Sequence, residues 1–325
     1  MESLCGTSSI RDMKKRIIIA GGSGFLGTAL AQQFVARGDE VFVLTRSPQN
    51  RADGAKDMAW DAKSLGDWAS LIEGADVVLN LTGKSVDCRY TETNRRLIIT
   101  SRVDSTRVIG EAIARCKNPP RVWLNASSAT LYKHDPAQPA DEFGPTGATA
   151  EAKDAFSIQV IREWERTLDE APTPHTRKVA LRITLVFGLT SGVFPVLRRL
   201  ARFGLGGKMA SGRQFVSWIH EEDFCRAIAW IIDHDNLTGP INLAAPNPLT
   251  NAEMMRLVRK SCGAPFGLPA AEWMLEVGAF FLRTETELII KSRRVVPGKL
   301  LASGFQFHFP QLEDALRNLQ HRNNS

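Results

Sequence analysis

The chain has 325 residues, with 41 Lys and Arg against 35 Asp and Glu, a formal charge of +6, 43% hydrophobic residues and 23% charged ones. These proportions exclude a disordered, collagen-like or coiled-coil protein and fit one large domain or two fused ones. No apolar run approaches the roughly 18 residues of a membrane helix, and the most apolar stretch, 273–282, is interrupted by Glu276, so a soluble protein without a membrane partner is expected.

Residues 1–12 carry neither the apolar core of a signal peptide nor an Arg-rich amphipathic pattern. They read as a disordered extension or an upstream start, with Met13 opening the first strand. The apolar run 16–20 is that strand, and Gly21, Gly24 and Gly27 follow it in a GxxGxxG spacing that opens a helix over 25–37. Gly21 permits a tight turn, Gly24 lets the backbone approach a pyrophosphate, and Gly27 lets the helix pack on the strand. With Ser23, Phe25 and Leu26, this loop is expected to hold the pyrophosphate at the helix N-terminus, where free N–H groups and the dipole favour an anion.

The second strand, 41–45, decides the cofactor. NAD-binding folds end it in a carboxylate that accepts from the ribose 2′-hydroxyl. Here Arg46 and Ser47 follow it, and no acid lies between Val41 and Gln49. A guanidinium can grip a 2′-phosphate that a carboxylate would repel, so NADP(H) is the expected cofactor. Asp61, after a third strand at 57–60, either accepts from the adenine amino group or caps the next segment.

Further strands are expected at 76–81, 121–126 and 179–183, and helices near 92–115 and 151–168. Apolar strands alternating with helices mean an α/β, doubly wound parallel sheet of the Rossmann type over 13–248. The pattern then changes to short helices and an aromatic run at 305–309, read as a smaller C-terminal lobe over 249–325. The five cysteines are scattered without a CxxC pair, as suits reduced thiols in a cytoplasm. Asp233-His234-Asp235 reads as a solvated helix end, and no metal site is expected. From 171 to 220 there are eight Lys and Arg and no acid. No recognition motif for nucleic acid accompanies them, so a pocket for a phosphorylated or carboxylated small molecule is preferred, with a solvated surface as the alternative.

The glycine loop, Asn80-Leu81-Thr82-Gly83 after the fourth strand and 127–132 after the fifth resemble extended short-chain dehydrogenases/reductases. Arg89-Tyr90-Thr91, Arg95, Ser101-Arg102, Trp164-Glu165, 211–214, 217–220 and Val296-Pro297 narrow the resemblance to its atypical epimerase-family branch. That branch carries a C-terminal domain of unknown function, and the likeness runs from 14 to about 319. Thr82 for Ala, Tyr90 for Trp and Lys84 for an acid are departures. The resemblance implies NADPH bound along Leu81, Thr82 and Gly83, with Arg102 near it. Arg95 and Arg102, seven apart, share a helix face that either binds an anion or is solvated.

Short-chain dehydrogenases use Ser with Tyr-x-x-x-Lys, in which the lysine lowers the tyrosine pKa for acid/base work. This chain has two tyrosines, Tyr90 and Tyr132, followed four residues later by Asn94 and Pro136. Alignment through Trp164-Glu165 puts Phe156 and Val160 at the pair's places, and neither carries a proton. Ser128 keeps the serine position, where it either bonds a substrate carbonyl or satisfies backbone at a strand end. His220 is the other catalytic candidate, with a structural bond to Asp223 as its alternative. Tyr132, Arg213, Gln214 and Trp218 are the expected substrate contacts, beneath a glycine-rich loop suited to an anionic ligand. The sequence therefore predicts an NADPH-binding oxidoreductase for a small carbonyl or sugar-like substrate. The alternative is a non-catalytic NADPH-binding sensor, and epimerisation ranks third. Oligomeric state is not legible.

Overall fold

In a computed structural model, residues 14–135, 137–274 and 291–324 are described; the N-terminal extension and Met13 lie outside them. Seven strands pair in parallel: β1 (Arg16–Ala20), β2 (Glu40–Thr45), β3 (Lys56–Ala59), β4 (Val77–Asn80), β5 (Val122–Ser128), β6 (Arg177–Ile183) and β10 (Gly239–Leu243). Their order across the sheet is β10-β6-β5-β4-β1-β2-β3, so the direction of winding reverses between β1 and β4. At such a switch point the loops leave on opposite faces and open a crevice at the strand C-termini. The expected doubly wound sheet is therefore present.

Side-chain alternation gives each strand two apolar faces. Ile17, Ile19, Val43 and Leu79 face one core with Leu30 and Phe34 of α1 (Phe25–Ala36) and Phe224 and Ile228 of α5 (Glu221–Asp233). Ile18, Leu44, Val78 and Trp123 face the other, with Val108, Ile109 and Ile113 of α2 (Glu92–Ala114). The strand at 239–243 escaped the sequence pattern because it is short and opens on Gly239-Pro240. Its edge position tolerates a proline that a central strand would not. Helix α3 (Ala155–Glu170) begins later than expected, because Lys153 sits in the left-handed region at φ 52° and cannot continue a helix.

The smaller lobe is built from two stretches of chain. Phe187, Phe194, Leu197 and Trp218 pack with Met255, Val258, Leu316 and Leu319 in a third core. They come from β7 (Leu185–Phe187), α4 (Phe194–Arg202), β9 (Trp218–His220), α6 (Asn251–Ser261) and α8 (Leu312–Asn324). The lobe thus draws on chain well before residue 249. Among the described residues, no helix is long and apolar enough to cross a membrane.

Candidate dinucleotide cleft

The glycine loop is held by sterics at three points. Gly21 has φ 74°, and a Cβ there would lie 3.0 Å from the Leu81 carbonyl carbon and the Thr82 nitrogen. A Cβ on Gly27 would lie 2.4 Å from Gly22 Cα, and one on Gly22 would lie 2.8 Å from a Val43 methyl. Gly22 is thus a constrained position that the GxxGxxG spacing did not flag. Gly24, by contrast, meets only the Gly21 oxygen at 3.5 Å, so its backbone is open to a ligand. It is the N-cap of α1, offers no side-chain cap, and no acid stands in the first turn. The first N–H groups of α1 are therefore left for an anion. Phe25 and Leu26 turn inward against the core.

A cleft of about 1130 Å³ runs from Ser23 and Gly24 past Leu81, Thr82 and Gly83 to Arg46 and Ser47. Leu81 to Gly83 are fixed by a buried amide network at the end of β4. Asn80 Nδ2 donates to Asn125 Oδ1 at 2.8 Å, while Asn80 Oδ1 accepts from the Thr82 N–H at 3.0 Å. Thr106 and Trp164 complete it: Trp164 Nε1 donates to Thr106 Oγ1 at 3.0 Å. Asp61 also lines the cleft, but it accepts from Ser64 Oγ at 2.5 Å and from the Lys63 and Ser64 N–H groups at 2.8 and 2.9 Å. These bonds hold its pKa at about 2, and they make it a cap for the following turn.

Arg102 stands beside Gly83. Its guanidinium donates to the Lys84 and Ile98 carbonyls at 3.0 Å each and stacks over Trp164 at 5.0 Å. Burial pulls its pKa down to about 10. Arg95 lies over Phe156 at 4.4 Å and donates to the Tyr90 carbonyl at 2.9 Å. The shared face of these two arginines meets aromatic rings and backbone carbonyls, because α2 packs along α3, from Phe156 to Trp164.

At the strand ends, Ser128 Oγ accepts from the Thr130 N–H at 3.2 Å and caps a turn of 3-10 helix. Tyr132 is buried. Its hydroxyl donates to Asn242 Oδ1 at 2.8 Å and accepts from Arg182 Nη1 at 2.9 Å, while Glu165 grips Arg182 with both oxygens at 2.9 Å. Burial pushes the Tyr132 phenol up, against the pull of Arg182. His220 is fully buried, stacks on Phe309 at 4.1 Å and caps α5 by accepting from the Glu222 N–H at Nδ1, 3.1 Å. Burial draws its pKa down to about 4. The expected partner Asp223 instead receives the His308 and Phe309 N–H groups at 2.9 and 2.8 Å. Trp218 is fully buried with Nε1 donating to the Asn247 carbonyl at 3.2 Å; Gln214 is buried with Nε2 donating to the Met209 carbonyl at 3.0 Å. Arg213 is exposed. Phe156 and Val160 bury with Ile98 beneath Cys88 and Tyr90, and Tyr90 meets the Phe156 ring edge-on at 4.9 Å.

The sequence profile described as the NAD dependent epimerase/dehydratase family matches residues 17–244, and a domain of unknown function, DUF1731, matches 270–319. The chain belongs to the NAD-dependent epimerase/dehydratase family. Within that family it is 30% identical over 307 residues to the human epimerase family protein SDR39U1, covering 94% of this chain and 99% of that one. It is also 30% identical over 312 residues to the epimerase family protein YfhF of Bacillus subtilis, covering 93% and 97%. A crystal structure of human SDR39U1 (isoform 2) with NADPH superposes with a TM-score of 0.82 at 29% identity, covering 94% of this chain and 99% of that one.

In this epimerase-family chain the cations of 171–220 do not converge on one pocket. Arg177 donates to the Leu237 carbonyl at 2.6 Å, Lys178 to the Ala171 carbonyl at 2.6 Å, and Arg182 to Glu165. Arg198, Arg199 and Arg202 line a shallow depression along α4 with Pro195, Val196 and Phe203. The β6 cations and the α4 arginines thus go to separate places, so the basic run as a whole does not gather at one site. Asp233 and Asp235 likewise turn apart, Asp233 to Lys15 at 3.1 Å and Asp235 to Arg177 at 3.5 Å.

Proposed function

We propose that this protein binds NADPH in the switch-point cleft and acts as an oxidoreductase on a small carbonyl compound. The observation that carries the reading is one cleft joining the uncapped start of α1 to the Arg46 side chain, with no carboxylate closing β2. Ser23 and Gly24 would take the pyrophosphate, Arg46 and Ser47 the 2′-phosphate, and Leu81, Thr82 and Gly83 would run along the dinucleotide. The glycine geometry fits such a group, because a Cβ at 21 or 27 would collide with backbone and only Gly24 stands open. The NADPH seen with human SDR39U1 supports the same cofactor. Bound NADPH would supply the hydride. Ser128, whose hydroxyl accepts from Thr130 and keeps its proton to give, is the residue we assign to a substrate oxygen.

A second reading, a non-catalytic NADPH sensor, is favoured by the hydrophobic packing of Phe156 and Val160 where a proton relay would stand. Binding and turnover separate the readings. NADPH should bind at least roughly tenfold more tightly than NADH, about 1.4 kcal/mol, and Arg46→Asp should narrow or invert the preference in calorimetric titration. Equal affinity of the wild type for both cofactors would overturn the cofactor assignment. Single-turnover NADPH oxidation across a carbonyl panel, slowed by Ser128→Ala, supports the oxidoreductase; tight NADPH binding with no oxidation supports the sensor.

A further inference from the structure

The cleft's adenosine end carries more charge than the Arg46 reading uses. Among the described residues lining it, the cations Arg46, Arg51, Lys63 and Lys84 face the carboxylates Asp53, Asp57 and Asp61. Asp61 is spent on capping its own turn. Asp53 and Asp57 are a different matter: both are carboxylates at the mouth where a 2′-phosphate would sit, and like charges there oppose binding.

Arg51 answers both. Its Nε donates to Asp53 Oδ1 at 2.9 Å and its Nη2 to Asp53 Oδ2 at 2.5 Å, a two-pronged pair. Its Nη1 stands 3.6 Å from Asp57 Oδ1, a buried oxygen that receives no hydrogen bond among the described residues. The other Asp57 oxygen accepts from the Gln49 N–H at 2.9 Å, which ties β3 to the loop after Arg46. The three side chains are only 11%, 13% and 5% exposed for Arg51, Asp53 and Asp57. Water therefore screens them weakly, and the guanidinium is the main neutralising charge.

We infer that Arg51 sets the preference for the 2′-phosphorylated dinucleotide by neutralising Asp53 and Asp57, a positioning role that does not require it to touch the phosphate. This rests on the NADPH reading above. A cofactor without the 2′-phosphate presents little charge at this end, so the two carboxylates matter to it far less. Arg46 attracts the phosphate, and Arg51 removes what would repel it.

The test measures NADPH and NADH dissociation constants for wild type, Arg51→Gln, Asp57→Asn and the Arg51→Gln/Asp57→Asn double variant, with circular dichroism as a check on folding. Arg51→Gln should weaken NADPH roughly tenfold while NADH shifts by less than about threefold. The double variant should recover part of the NADPH affinity, because one of the two uncompensated carboxylates is gone. Loss of NADPH affinity without recovery in the double variant would mean that Arg51 contacts the phosphate itself, and would overturn the neutralising role. Equal weakening of both cofactors would reduce Arg51 to a loop staple, and an unchanged ratio would sink the idea outright. A wild type that does not distinguish the cofactors fails at the first measurement, and so identifies the NADPH reading as the part at fault.

Discussion

Arg102 stands where a side chain on Gly83 would have to go: a Cβ at residue 83 would lie 3.0 Å from the Arg102 guanidinium carbon. The arginine is a strut under the Leu81 to Gly83 ribbon, tied to the carbonyls of Lys84 and Ile98. Arg102→Met keeps the apolar stem but removes the guanidinium donor from the Lys84 carbonyl and one of two side-chain donors from the Ile98 carbonyl. It should cost about 1–3 kcal/mol in denaturant unfolding and weaken NADPH indirectly, with Gly83→Ala acting in the same direction. A fully stable Arg102→Met with impaired NADPH binding would instead place the guanidinium on the cofactor.

His220 should make the protein acid-sensitive. Its folded pKa of about 4 lies below the ordinary 6.5, so above pH 6.5 both folded and unfolded states are neutral and nothing is lost. Below 6.5 the unfolded chain takes up a proton that the folded one refuses. Stability should fall by about 3 kcal/mol between pH 6.5 and 4 and then level off. His220→Asn retains a capping side chain for the Glu222 N–H without titrating. Urea melts at pH 7 and pH 4.5 should show a smaller drop for this variant than for wild type; equal drops would disprove the assignment.

Tyr132 belongs to a dry network. Tyr132→Phe removes one donor from Asn242 and one acceptor from Arg182, which should cost about 1–3 kcal/mol and leave the NADPH dissociation constant unchanged. A stable variant with an altered substrate KM would return the phenol to the substrate site.

Lys291 and Asp154 form a fully buried ion pair, and Lys291 Nζ also donates to the Thr130 carbonyl at 2.5 Å. It fastens the C-terminal lobe to the turn that follows Ser128. Lys291→Met strands a buried carboxylate and should cost about 3–5 kcal/mol, whereas the Lys291→Met/Asp154→Asn pair should recover much of it. A single variant that melts like wild type would show that the pair contributes nothing.

The sequence by itself determined the parallel sheet, the glycine loop and the Arg46 register, because each rests on local rules. Strands buried on both faces must be continuously apolar, a tight strand-to-helix turn needs Gly21 and Gly27, and the end of β2 falls about 20 residues beyond the loop. It also determined a negative fact, since Phe156 and Val160 cannot move protons wherever they are placed. What only the tertiary structure decided was the use of the polar side chains. Trp218, Gln214 and His220 read as pocket residues because they cluster around a likely loop, and Tyr132 because it follows Ser128 by four residues, yet all four are buried. Arg102 and Arg95 share a helix face as their spacing required, but sequence spacing does not say what packs against that face. Arg51 shows the converse. It lies in an unremarkable loop; its bond to Asp53, two residues on, is local, but Asp57 comes within its reach from β3, which is laid beside β2. Propensity and periodicity are local and survive in one dimension, whereas the partner of a long charged side chain is chosen by which elements meet.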